Sequence, residues 1–438
     1  MTKRVVVIGA GILSSLGGDY GAQWDRILGG QTGLRCDISY SGDATSLHGI
    51  VASNDENSVP GDRRQLKRLT RASLLGVLAA DNAIIDAGLP FISAFPERRG
   101  IFVGSNEYAD EREYIEQYAP ILDGARDAEG ELDFAKLGPA ALRRTRPDFL
   151  LSGLPNAALC QITIRHQICG SNATLVDSPA TGARAIGRAF RAIQHGQADV
   201  AVCVGTNADT SDFAQLALRS NGFLSECRDG ARSFRPYDTE RDGYACGEGG
   251  AAVVLAEYEH ARQHGANIFA EIVGYASAAD FSSIDYVDPT GAAISKAIDG
   301  ALSDADLGID EIGYIYGHGE ATWHGDAAEL AGITAVCAGN KRTILTATKP
   351  ATGHMGPVTS VAEFAFAALS VRDGAIPPTL NHTQIDNAVA DHVQVVSDRA
   401  LAADVRHVLT LSRDGNGPEA TALVLAKSSW LNNSQKEP

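Results

Sequence analysis

Short β-branched strands that alternate with longer helical stretches, twice along the chain, predict an α/β fold built from two similar halves. In the first half, strand patterns fall at 4–8, 100–103, 173–176 and 200–204; in the second, at 314–316, 343–346 and 408–411. Helical periodicity covers 183–195, with Ile186, Phe190 and Ile193 on one face, and recurs over 360–371. The 438 residues, 44% of them hydrophobic, suffice for one large core or two medium ones. The expected division is 1–255 and 256–427, with a polar tail over 428–438. A charged, intermittently periodic stretch at 107–147 interrupts the first half and is expected to be an excursion or an interaction surface.

Composition narrows the class of function. The chain has 37 basic and 54 acidic residues, a net charge of -17, which disfavours nucleic acid as a partner. Seven scattered cysteines without a CxxC pair predict a reducing compartment and argue against a disulfide framework or a zinc ribbon. Met1-Thr2-Lys3-Arg4 leads straight into the first strand, with no signal-peptide core and no apolar run long enough for a bilayer. A soluble, cytoplasmic protein without membrane association is expected.

The residues that carry chemistry are gathered in a few segments. Thr174-Leu175-Val176-Asp177-Ser178-Pro179-Ala180-Thr181-Gly182 links a strand to a helix. Proline suits the first helical turn, where its missing N–H would be an orphan, and Ser178 or Asp177 suits the N-cap. His318-Gly319-Glu320-Ala321-Thr322 precedes Gly325-Asp326, and Lys349 precedes Gly353-His354 and Glu363. His318, His324, Asp326 and Glu329 match no standard metal spacing, so no metal is expected. Cys160, Cys169, Cys203 and Cys246 are expected as small core residues. Gly247-Glu248-Gly249 lacks a following Lys-Ser/Thr and is expected as a tight turn, not a phosphate loop. Arg64, Lys67, Arg68 and Arg71 recur at helical spacing and share a face.

Taken in order, these segments resemble the β-ketoacyl-acyl-carrier-protein synthase family. Val5-Val6-Val7-Ile8-Gly9-Ala10-Gly11, Leu16-Gly17, Trp24 and Gly29-Gly30-Gln31-Thr32-Gly33 are similar to its opening strand, loop and helix. Leu154-Pro155-Asn156 stands where the family has a similar asparagine. Arg235-Pro236-Tyr237-Asp238, Arg241-Asp242-Gly243-Tyr244 and Gly247-Glu248-Gly249 resemble its RPFD…RDGF…GEGAG run. The segments at His318, Lys349 and His354 resemble HGTGT…GD and K…GH. The resemblance implies a thiolase fold, two halves stacked as five αβαβα layers, and a two-fold dimer.

It also implies site roles. The gapless match puts Pro179 on the nucleophilic cysteine, whose N–H is one of the two oxyanion-hole donors in the family. Proline supplies neither. Ser178 is one residue off the elbow tip. His318, His354 and Lys349 match the residues that support decarboxylation of a malonyl thioester. Equally, the histidines can be held for hydrogen bonding alone, and Lys349 as an ion-pair partner of Glu363. Glu320 falls on a threonine expected to bond pantetheine, and its carboxylate would disfavour a malonyl group. Asn416 falls on a gating phenylalanine, and Pro357 on a usual glycine. Arg64, Lys67, Arg68 and Arg71 are either a docking patch for an acidic acyl carrier protein or an ordinary solvated face.

Two function classes follow. In the first, the chain is a chain length factor type subunit that pairs with a cysteine-bearing ketosynthase homologue and shapes the acyl tunnel, through residues 154–164 and 107–147. Such partners often carry glutamine at the elbow tip and often lose the histidines retained here. In the second, it is an enzyme in its own right, such as a malonyl-carrier decarboxylase or altered acyltransferase. Neither needs a cofactor of its own, since phosphopantetheine arrives on the acyl carrier protein.

Overall fold

The run Val5–Leu13 is buried at every position and forms β1, a continuous apolar stretch of the kind covered on both faces. In this computed structural model the described residues are 2–38, 45–52, 69–106, 111–145, 154–176, 178–280, 287–337, 342–386, 388–397, 399–415 and 418–428. The first half continues with β2 (Arg99–Ser105), β3 (Asn172–Val176), β4 (Val200–Asn207) and β5 (Gly249–Glu257). The second contains β6 (Ala270–Ala279), β7 (Tyr314–Tyr316), β8 (Thr343–Thr346), β9 (Val393–Val395), β10 (His407–Arg413) and β11 (Glu419–Ala426).

Both halves have one topology. The first runs β3-β2-β4-β5-β1 and the second β8-β7-β10-β11-β6, with β9 added at its outer edge. In each, the first two pairings are parallel and the last two antiparallel. Val5–Val7 of β1 pairs antiparallel with Ala270–Ile272 of β6, so the halves join as one eleven-stranded sheet.

Helices fill the faces. α1 (Arg71–Ala87) and α2 (Ala157–His166) cover the outer face of the first half. α3 (Thr181–Gln194) and α6 (Pro357–Asp373) pack against each other and against strands of both halves. α4 (Ala292–Ala305) and α5 (Trp323–Val336) lie on the far side. The order is therefore αβαβα. Three apolar clusters fill the gaps; the central one joins Ile186 and Phe190 of α3 to Phe364 and Phe366 of α6.

α3 and α6 approach closely because glycine lines the contact. A Cβ at Gly182 would sit 2.1 Å from the Pro357 carbonyl oxygen and 2.4 Å from Ser360 Oγ. Gly182→Ala is therefore expected to lower stability by about 3 kcal/mol, the upper end for overpacking, in a urea melt. An unchanged midpoint would show that the two helix starts can separate freely.

The stretch at 107–147 contains two helices, Glu111–Asp123 and Phe134–Arg144, around a small apolar cluster of Ile121, Ala125 and Ala140. Contrary to the expectation of reduced cysteines only, Cys36 and Cys227 are joined by a disulfide across 191 residues. A short strand, Arg35–Ile38, and a loop meet there, and their separation in sequence hid the pairing. Cys160, Cys169, Cys203, Cys246 and Cys337 are free; Cys160 and Cys169 are exposed, not core residues. Among the described residues no helix is long and apolar enough to cross a membrane.

Candidate active site

The functional segments converge at the C-terminal ends of strands from both halves. β3 delivers Ser178 and Pro179, β7 delivers His318, and β10 ends on Arg413. His354 follows β8 and a short helix, Lys349–Thr352. The N-terminus of α6 draws them together, because Ser360 Oγ donates to the Pro179 carbonyl at 3.2 Å and Glu363 bonds Lys349.

Pro179 precedes α3 without distorting it. Contrary to expectation, Ala180 is the N-cap, no side chain caps the helix, and Pro179 lies before its first turn. Ser178 instead closes the preceding turn, its Oγ accepting from the Ala180 N–H at 3.0 Å and its carbonyl from the Thr181 N–H at 3.0 Å. The Ser178 hydroxyl also bonds Asp414, whose carboxyl is pushed up to about 6, chiefly by burial.

The His318 turn is an unusual backbone held from outside. Gly319 and Ala321 both have positive φ, 48° and 59°. Glu329 accepts the N–H groups of His318 and Gly319 at 2.6 and 2.9 Å. Asp326 accepts those of Glu320, Ala321 and Tyr237 at 3.0, 3.1 and 2.7 Å. These carboxylates therefore anchor backbone. Burial raises both, Asp326 to about 7, with each other's charge adding to the rise at Asp326. Lys349 is wholly buried. It donates to the His318 carbonyl and, at 3.1 and 3.3 Å, to Glu363, whose carboxyl burial pushes up to about 7.

The two imidazoles lie edge to face, 5.4 Å between centroids. Tyr244 packs on His354 at 4.7 Å. His354 Nδ1 accepts the Gly356 N–H at 3.1 Å, so the proton of the neutral ring is on Nε2. His318 Nε2 faces Glu320 Oε2 at 3.2 Å; a carboxylate only accepts, so this nitrogen donates. Burial holds both rings well below the usual histidine range, with the Lys349 charge as a further cause. Their neutral burial thus contributes stability that is present above the ordinary value of 6.5 and lost as pH falls. Neither ring is expected to titrate near pH 6.5 in an NMR experiment; a midpoint there would contradict the geometry.

Glu320 is paired within the fold. Its carboxylate is not an uncompensated charge, because Arg413 pairs with it and the Thr322 hydroxyl donates to the same oxygen. Both residues are about 1% exposed. His318, Glu320 and His354 bring potential metal-ligand atoms within 4.8 Å of one another. The donor set does not suit a cation: Nδ1 of His354 accepts the Gly356 N–H, so Nε2 carries the ring proton, and a guanidinium already neutralises Glu320.

Residues 2–261 match the family model for the β-ketoacyl synthase N-terminal domain, and 269–383 match the model for its C-terminal domain. The chain belongs to the β-ketoacyl synthase family. It is 30% identical to a 3-oxoacyl-[acyl-carrier-protein] synthase 2 of Staphylococcus aureus (strain COL) over 429 residues, 97% of this chain and 98% of the relative. The solved ishigamide ketosynthase/chain length factor is 26% identical, with a TM-score of 0.82 over 97% of this chain and 99% of that one. A β-ketoacyl synthase from Burkholderia phymatum STM815 is 25% identical, with a TM-score of 0.83 over 97% and 99%.

This ketosynthase-family chain brings Pro179, His318, Glu320, Lys349 and His354 into one region and separates the remaining candidates. Arg71 bonds both oxygens of Glu248 at 2.6 Å, so its charge is engaged within the fold. Arg64, Lys67, Arg68 and Asn416 lie outside the described residues. Cys246 is bridged through its backbone to His354, but burial pushes its thiol up to about 12, far from a reactive thiolate. Sequence reasoning missed Arg413 and Tyr244 as site residues. An arginine directly after the apolar run 408–411 was the available signal, since a charge drawn into the core there needs a partner.

Proposed function

We propose that the chain is a non-condensing ketosynthase-like subunit of the chain length factor type. It pairs with a cysteine-bearing ketosynthase homologue and shapes the tunnel that receives a growing acyl chain. The observation that carries this reading is Pro179 at the elbow: the position has neither a nucleophilic atom nor an N–H, while among the described residues both halves keep their strands and helices. Cys246 is too buried to replace it.

Two further observations support the pairing. β3 ends the sheet and pairs only with β2 among the described residues, leaving an edge for another chain. Ile164 on α2, a helix packed against β2 and α1, is an apolar residue 69% exposed. The similar ishigamide structure is itself a ketosynthase/chain length factor. In this reading the phosphopantetheine of an acyl carrier protein enters through the partner's site.

One observation favours a second reading, a malonyl-carrier decarboxylase acting alone. His354 still presents an Nε2–H suited to an enolate oxygen. Expression alone and with a cysteine-bearing homologue separates the two. The partner reading expects a stable, inactive heterodimer that needs co-expression. A homodimer releasing carbon dioxide from a malonyl carrier at a His354-dependent rate would replace it.

A further inference from the structure

Glu320 sits among donors that would suit a free anion. Arg413 and the Thr322 hydroxyl serve one carboxylate oxygen, and His318 Nε2 serves the other at 3.2 Å. Arg413 is fixed independently, because its Nη1 donates to the carbonyls of Asp414 and Gly415 at 2.6 and 2.7 Å. His318 is fixed too, its backbone held by Glu329 and Lys349. The donors are therefore positioned by the fold rather than by Glu320 alone. Guanidinium, hydroxyl and neutral imidazole together make a preorganised site for a small carboxylate.

We propose that His318, Thr322 and Arg413 form a small-carboxylate binding site and that Glu320 is its tethered occupant, which closes the site to a free or carrier-borne carboxylate. The inference deepens the non-condensing reading and rests on it only for the consequence that a malonyl group is shut out. The anion site itself requires no partner subunit. His318 cannot donate to Glu320 and to a thioester oxygen at once, so the tether silences one histidine independently of Pro179.

Acetate is the probe. Full-length Glu320→Ala and Glu320→Gln are compared with the parent chain by thermal unfolding at neutral pH, with acetate or chloride at matched ionic strength. Glu320→Ala leaves Arg413 unpaired, so its Tm is expected to drop. Acetate is then expected to restore part of the loss, saturably, as a ligand of the folded state does. Chloride should not, and the parent and Glu320→Gln, whose sites remain filled, should not respond to acetate. A folded Glu320→Ala with no acetate-specific rise would overturn the proposal, as would an equal rise in the parent. If Glu320→Ala folds poorly, refolding yield serves: acetate-dependent recovery supports the site, and equal yields in both salts refute it. These outcomes do not depend on whether the heterodimer forms.

Discussion

Arg413→Ala is expected to destabilise the protein by about 3–5 kcal/mol, the cost of leaving one member of a buried ion pair without its partner. The arginine is 1% exposed and Glu320 likewise, so water cannot screen the orphaned carboxylate. Nor can the Thr322 hydroxyl and His318 replace a full positive charge. Loss of the guanidinium also leaves the carbonyls of Asp414 and Gly415 without its Nη1 donor. Denaturant unfolding measures the effect. Replacing both members, as in Glu320→Thr with Arg413→Ser, is expected to cost clearly less than Arg413→Ala alone. A single-variant loss below about 1 kcal/mol would place the pair in the class of exposed bridges and contradict its burial.

The second large effect concerns the elbow. Pro179→Cys is expected to place an acyl group at position 179, where the parent chain has no atom to carry one. The new thiol would precede α3, whose amino-terminal N–H groups and dipole favour a thiolate. It would also restore the N–H that proline lacks. Acylation should not be followed by condensation, because Glu320 still holds His318. Peptide mass spectrometry reads the adduct, and release of a β-ketoacyl product reads condensation. Condensation by the single variant would show that Glu320 does not obstruct the histidine pair.

Much of the scaffold was legible because its strands are short apolar runs. The 314–316 and 343–346 strands have those bounds; those read at 200–204 and 408–411 lengthen by a few buried residues, the one read at 4–8 runs over Val5–Leu13, and the one read at 173–176 gains the exposed Asn172. The 107–147 region was opaque for a local reason: Pro120 and Pro139 lie inside its two helices and interrupt the pattern that marks a helix. His318, Lys349 and His354 were legible as a set through motif order. The ion pair of Glu320 was not, because its partner lies 93 residues away at the end of β10. The roles of Asp326 and Glu329 were equally hidden, since accepting backbone N–H groups leaves no mark on spacing.

Intact-mass analysis of the unaltered chain with an acyl-carrier thioester, alone and beside a cysteine-bearing homologue, tests the central claim most directly. The account predicts acyl transfer to the homologue's cysteine and no adduct within residues 172–194 of this chain. An acyl adduct on this chain within residues 172–194, at Ser178 for example, would contradict it.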